Sequence, residues 1–115
     1  MKATDLMISD WIMTPDNKPV QVVGLTVDSI ETTEKEGYFY DTFFEPIQLI
    51  EEILKKNKFK TRGHGDFELA KDIYWFNNAV MIVTDTDFMY ICTCYYVHEL
   101  QHILKLLNIN KEIIL

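Results

Sequence analysis

The spacing of apolar residues changes along this chain, and the change limits the folds that it can adopt. The first 46 residues hold short β-branched or aromatic runs separated by turn-forming residues, a pattern typical of small antiparallel sheets. From residue 47 onward, two stretches place their apolar residues at helical spacing, and strand-like runs lie between them. The order of strands, helix, strands and helix predicts an α+β fold.

The N-terminal part, residues 1–46, is predicted to be a small SH3-like β-barrel. Gly24 indicates a bend or bulge in its second strand, and Glu34–Gly37 is the predicted turn between the last two strands. Several short strands with tight turns favour a barrel, and a curled open sheet is the alternative. An aromatic cluster could line a ligand groove, although such clusters more often pack in a core: Tyr38, Phe39, Tyr40, Phe43 and Phe44.

The C-terminal part, residues 47–115, is predicted to run helix, three or four antiparallel strands, helix, and to form one compact unit with the first part. The first helix is expected over Leu49–Lys56, with acidic residues in its first turn, lysines in its last and a stop at Asn57. The run Ala79–Val83 is apolar throughout, which predicts a central, covered strand. The second helix is expected over Tyr96–Leu107.

Composition narrows the class of partner. Of the 115 residues, 48% are hydrophobic, which is sufficient for a packed core, and the net charge is −7. An acidic balance opposes binding to nucleic acid, because phosphate backbones are bound by Lys and Arg. Cys92 and Cys94 lie too close in sequence for an easy disulfide, so a reducing compartment is expected. With neither a signal-peptide pattern nor a membrane-length apolar run, the sequence predicts a cytoplasmic protein without membrane contact.

One motif suggests catalysis. His98-Glu99-Leu100-Gln101-His102 has the spacing of zinc peptidases, in which two histidines one helical turn apart bind the metal and the glutamate acts as general base. A catalytic zinc needs a third protein ligand, yet Lys105 and Asn108 occupy the positions at which the extended motif has Gly and His. His64 and Glu112 are the remaining candidates for that ligand.

The favoured interpretation of the motif is a solvated helix face. It would consist of His98, Gln101, His102, Lys105 and Asn108. We therefore expect no catalytic, cofactor-binding or metal-binding residues. The alternative is a minimal zinc-dependent hydrolase with His98 and His102 as ligands and Glu99 as base.

Two further patterns have a structural explanation. Cys92 and Cys94 combined with the two histidines could suggest a structural zinc site, but four ligands within eleven residues cannot easily surround one metal ion. We expect the cysteines to be small core residues. Asp85 and Asp87 resemble a metal-binding acidic pair, but between two strands they predict a hairpin turn.

Three segments in order resemble a family of small uncharacterised proteins from phages, prophages and mobile elements of Bacteroides-type gut bacteria: KATDLMISDWIM, EPIQLIEEILKKNKF and YVHELQHILKLLNI. The N-terminal part is also similar to YopX-like phage proteins, which have a small β-barrel. Relatives usually carry Gly at the position of Ser9, and read EPIPLTEEIL..NGF where this chain has Gln48, Ile50 and Lys58. Without threonine at position 50, the first helix lacks an expected cap. Relatives often have another residue, such as Asn, at His102.

The family has no established activity, so the resemblance assigns no catalytic residue. The expected function is a non-enzymatic module of a phage or mobile element that binds a protein partner, and the acidic surface is compatible with a basic one. The sequence does not specify the partner or the oligomeric state.

Overall fold

The structure is a computed structural model that describes residues 6–25, 29–33, 38–39, 44–63 and 65–115, with the backbone alone at 29–30 and 38–39. The chain divides into two compact units, Met1–Ile47 and Gln48–Leu115. The first unit contains five strands: β1 (Trp11–Met13), β2 (Pro19–Leu25), β3 (Ser29–Thr32), β4 (Tyr38–Phe39) and β5 (Glu45–Pro46). The second contains α1 (Glu51–Lys56), β6 (Asp66–Ala70), β7 (Ile73–Phe76), β8 (Ala79–Val83), β9 (Phe88–Thr93) and α2 (Val97–Leu106). Neither helix of the described ranges is long and apolar enough to cross a membrane.

The first unit is an antiparallel sheet with the strand order β4-β3-β2-β1-β5. The pairing of β2 with β3 shifts register between Val22 and Gly24, which confirms the predicted irregularity at the glycine. Strand β5, which the sequence did not predict, pairs with β1. The α+β class is confirmed. No closed barrel is found among the described residues, so the SH3-like barrel stays a prediction, and the turn predicted at residues 34–37 lies outside those ranges.

The core of the first unit forms on one side of this sheet. It consists of Leu6, Ile12, Val20, Val22 and Phe44. Phe44 is fully buried, which confirms the core interpretation for this member of the predicted aromatic cluster. The side chains of the other four members lie outside the described part of the chain.

The second unit is built on an antiparallel sheet with the order β6-β7-β8-β9. Phe67, Trp75 and Val80 are buried on the inner face, and the Trp75 indole nitrogen donates a hydrogen bond to the Cys94 carbonyl at 2.9 Å. Strand β8 is central, as predicted, because it pairs with β7 and β9. The prediction that it is covered is wrong: only Val80 is buried, and the other four residues are half-buried.

Both helices end in the same way. After α1, the Lys58 backbone nitrogen donates to the Lys55 carbonyl and Phe59 to Leu54; after α2, Asn108 and Ile109 repeat the pattern. These paired bonds define a Schellman motif, in which the residue after the C-cap adopts a left-handed conformation. Lys58 has φ 62° and Asn108 has φ 57°. Asparagine tolerates this region, whereas lysine is strained there.

The first helix starts without a side-chain cap. Ile50 is the N-cap residue and makes no side-chain capping bond, and the helix begins at Glu51, two residues later than predicted. The predicted stop at Asn57 is confirmed, since Asn57 is the C-cap. Ser9, in the first unit, has a left-handed backbone, with φ 80°.

The C-terminal tail docks on the end of α1. The Asn57 side-chain nitrogen donates to the carbonyls of Ile53 and Ile114, both at 2.8 Å, and its oxygen accepts from the Ile114 backbone nitrogen at 2.7 Å. Ile113 is buried, and the Lys56 ammonium bonds to the backbone oxygen of Leu115. One buried amide therefore ties residues 113–115 to the helix.

Candidate functional site

The two histidines of the peptidase-like motif lie side by side on α2. The centroids of the His98 and His102 rings are 5.7 Å apart and the rings meet edge to face, as expected one helical turn apart. On its other side, the His98 ring stacks parallel to the Tyr96 ring, with centroids 5.9 Å apart. The imidazoles thus belong to a row of three packed rings.

The prediction of a solvated histidine face is wrong for two of its five residues. His98 and Gln101 are each only 8% exposed, and His102 is half-buried, whereas Lys105 and Asn108 are exposed as predicted. Helical spacing gives the reason for Gln101. It lies four residues after Val97 and three before Leu104, so it falls within the buried stripe that those apolar residues define.

Glu99, the candidate general base, caps the helix instead. Its Oε1 accepts hydrogen bonds from the backbone nitrogens of Tyr95 at 2.9 Å and Tyr96 at 3.1 Å. As the third residue of α2, it satisfies backbone donors at the helix start, which is the glutamate's role in a capping box. Its negative charge also lies at the positive end of the helix dipole. The capping bonds hold this carboxylate, through Oε1, against the first turn of α2.

The described residues do not assemble a metal site from the predicted ligands. Within the ranges that the structure covers, no group of three or more His, Cys, Asp or Glu side chains is placed to hold a metal ion. His64, one of the candidate third ligands, lies outside those ranges. Two imidazoles alone do not make the three-ligand set of a catalytic zinc.

The two cysteines are free thiols, Cys94 buried and Cys92 half-buried. Burial, followed by the nearby Glu99 carboxylate and the Cys92 thiol, raises the pKa of Cys94 to about 12. Burial and Glu99 also raise the pKa of Cys92. Thiolates are the metal-binding and nucleophilic form, and these surroundings disfavour it.

The Asp85–Asp87 pair lies in the β8–β9 hairpin turn, as predicted. The Thr84 backbone nitrogen donates to the Asp87 carbonyl at 2.8 Å, and the Asp87 nitrogen donates to the Thr84 hydroxyl at 3.2 Å. The Asp87 Oδ1 then accepts from the Phe88 backbone nitrogen at 2.8 Å. These bonds account for the Thr-x-x-Asp sequence through turn formation.

The second unit exposes a large apolar surface that sequence reasoning did not identify. Four consecutive β9 residues, Phe88–Ile91, are 68%, 63%, 57% and 46% exposed. We call these four residues the β9 patch. A continuous apolar run usually indicates a covered strand, but β9 is the last strand in its sheet. The sequence feature that could have identified this surface is the apolar run directly after the hairpin turn.

A groove on the outer face of the sheet adjoins the β9 patch. Tyr74, Met81 and Tyr90 lie opposite one another on three neighbouring strands, as do Val83 and Phe88 on two. The groove has a volume of about 370 Å³, and its lining consists of Arg62, Asp66, Tyr74, Phe76, Met81, Val83 and Phe88.

An ion pair between Arg62 and Asp66 forms part of the wall of this groove. The Arg62 Nε donates to the Asp66 Oδ2 at 2.6 Å, and the Arg62 guanidinium lies 4.2 Å from the centroid of the Tyr74 ring. Burial tends to raise the pKa of Asp66, but the hydrogen bonds and charge of Arg62 prevail, so its pKa is lowered. The arginine is half exposed, and the carboxylate is only 6% exposed. The pair therefore places neutralised, hydrogen-bonded polar groups beside the apolar residues.

No protein-family model, curated protein or solved structure matches this chain.

Proposed function

We propose that this chain is a non-enzymatic protein-interaction module of a phage or mobile element, and that it binds a partner through the β9 patch. The observation that carries the proposal is the exposure of four consecutive large apolar residues, Phe88–Ile91. Single exposed apolar residues are common, whereas these residues make the last strand of the sheet apolar on both faces, since Phe88 and Tyr90 lie on one face and Met89 on the other. Such a strand beside an apolar groove is typical of an interaction site. The cytoplasmic location and the origin in a mobile element belong to the same proposal.

The charge distribution favours a partner with basic residues. Met1–Ile47 holds nine acidic and three basic residues, whereas Gln48–Leu115 holds nine acidic and eight basic ones. The acidic excess of the chain is thus concentrated in the first unit. Long-range attraction of a basic partner would raise its association rate, while the apolar patch supplies affinity. The SH3-like barrel remains our proposal for the first unit, supported by five short antiparallel strands and the irregularity at Gly24.

The minimal zinc hydrolase is the alternative, and the adjacent rings of His98 and His102 are the observation in its favour. It can be tested by measuring zinc in protein purified without added metal and by assaying peptidase activity of Glu99→Gln. Glutamine retains an oxygen that can accept the capping bonds but cannot act as a base. We expect no stoichiometric zinc and no activity in either protein; bound zinc with activity lost in the variant would establish the alternative.

The interaction is tested by affinity capture from a host that carries the element. The chain is compared with Tyr90→Ser, which removes an aromatic ring from the β9 patch, and with Leu106→Ser. Leu106 is 83% exposed on α2 and is therefore a matched control for the loss of one exposed apolar side chain. We expect one specific protein to be retained by the original chain and the control and lost with Tyr90→Ser. Equal retention by all three, or no specific protein, would count against the proposal.

A further inference from the structure

The free edge of β9 presents backbone groups in a defined register. In an antiparallel pair, residues that exchange hydrogen bonds alternate with residues that do not. The Thr84 backbone nitrogen donates to the Asp87 carbonyl, so these two residues are a bonded pair. The Val83 backbone nitrogen donates to the Asp72 carbonyl, on the side of β8 that faces away from β9. The Val83–Phe88 pair is therefore the non-bonded kind, and alternation makes the Met81–Tyr90 pair non-bonded as well.

It follows that the backbone N–H and C=O groups of Phe88 and Tyr90 point away from β8. The Phe88 nitrogen is consistent with this direction, because it donates to the Asp87 side chain rather than to the ladder. Beyond Tyr90 the register shifts: Met81 pairs with Tyr90 and Val80 with Cys92, so Ile91 is the extra residue of a bulge. The regular part of the free edge is thus Phe88–Tyr90.

This short edge lacks two of the usual protections against strand pairing. Natural edge strands are commonly protected by charged residues, proline or bulges. Strand β9, Phe88–Thr93, contains neither a charged residue nor a proline, and its bulge lies past the regular part. At the start of the edge stands the Asp87 carboxylate, with exposed Asp85 two residues earlier.

We propose that this edge binds an extended segment of a partner protein by adding it to the sheet as a strand next to β9. The segment pairs its backbone with Tyr90 and places a large apolar side chain beside the Tyr90 ring. It carries a lysine or arginine that meets the Asp87 carboxylate. The inference rests on the proposed function and specifies the kind of partner: an extended peptide segment with an apolar centre and a basic end.

Charge and register favour such a segment over a second copy of this chain. The negative charge of Asp87 favours a positively charged side chain on the added strand, and β9 of a second copy contains no Lys or Arg. Each copy also has a net charge of −7, which opposes association. Self-pairing centred on Tyr90 would have to extend across the bulge at Ile91 in both copies, whereas a short partner segment needs only Phe88–Tyr90.

The proposal is tested with synthetic peptides and the full chain. The probe is an eight-residue fluorescent peptide with alternating valine and threonine and a lysine at each end, and binding is measured by fluorescence anisotropy. Two matched peptides replace the lysines with glutamates or carry N-methyl groups on alternate central amides. We expect loss of the backbone bonds to weaken binding by at least about tenfold, and exchange of lysine for glutamate to weaken it severalfold.

Two protein variants locate the contact. In Asp87→Asn the side-chain oxygen can still accept from Phe88 while the charge is removed, so we expect the lysine peptide to bind about two- to fivefold more weakly. Glu112→Gln removes one exposed charge from the C-terminal tail and should leave binding unchanged.

Three results would overturn the inference: no binding of the lysine peptide at millimolar concentration, equal binding of the N-methylated peptide, or a stable dimer that occupies the β9 edge. The first two results leave the outcome of affinity capture with Tyr90→Ser unchanged, and a dimer is recognised separately by its mass in solution. A failure of the strand-addition model can therefore be distinguished from a failure of the proposed function.

Discussion

Replacing Lys58 with glycine is expected to stabilise the second unit. Lys58 follows the C-cap of α1 with φ 62°, and its backbone nitrogen donates to Lys55. A residue with a Cβ atom is strained in this left-handed conformation by about 1–2 kcal/mol. Glycine removes the strain but costs about 0.5–1 kcal/mol, because it loses more conformational freedom on folding.

The difference predicts that Lys58→Gly raises the free energy of unfolding by about 0.5–1 kcal/mol. Chemical denaturation in urea measures it directly, with an unchanged slope indicating that the extent of unfolding is the same. In a thermal scan, the gain corresponds to a rise of about 2–5 °C. The Schellman bonds from Lys58 and Phe59 are expected to persist, because they involve the backbone alone.

Lys55→Gly is the matched control, since it makes the same exchange of side chains three residues earlier, inside α1. There the backbone is helical, and glycine is expected to destabilise by roughly 0.7 kcal/mol. Ser9→Gly tests the same reasoning in the first unit, where φ is 80°. If Lys58→Gly were as destabilising as Lys55→Gly, the assignment of strain to Lys58 would be refuted.

Three other outcomes follow from buried polar groups. Arg62→Gln removes the hydrogen bonds and charge that hold the pKa of Asp66 below 3.8, and with them the stability that this carboxylate contributes above that pH; urea denaturation should find the variant less stable than the original chain at pH 7, and the difference should shrink as the pH falls below 3.8. Asn57→Ala removes three hydrogen bonds and should cost about 2–3 kcal/mol, with faster amide exchange in the C-terminal tail. At pH 8, a thiol reagent should label Cys92 but leave Cys94 unmodified until urea is added, because burial and a pKa of about 12 protect the second thiol.

The sequence predicted the elements of the fold well where their patterns are long. The stripe on α2 spans ten residues and correctly located that helix, and Asn57 correctly marked the end of α1. Strand β5 was missed because two residues, Glu45–Pro46, cannot show a period. The covered strand predicted at β8 was wrong because a continuous apolar run does not specify whether both faces of a sheet are packed.

The candidate sites were less predictable, because they depend on contacts between elements. Polarity alone placed His98 and Gln101 in solvent, although both are buried. The motif also suggested a base at Glu99, whereas its position in the first turn of α2 makes it a cap. The helix was predicted to begin at Tyr96, which did not mark Glu99 as the third helical residue, the position from which a glutamate caps. The exposure of Phe88–Ile91 required knowing which strand ends the sheet.

Site-specific photo-crosslinking in the host tests the interaction surface most directly. Benzoylphenylalanine is placed at Met89, which is 63% exposed within the β9 patch, and separately at Leu106 on α2. We predict that the probe at Met89 yields one discrete crosslinked protein and that the probe at Leu106 does not. A crosslinked partner with the probe at Leu106 and none at Met89 would contradict the assignment of function to the β9 patch.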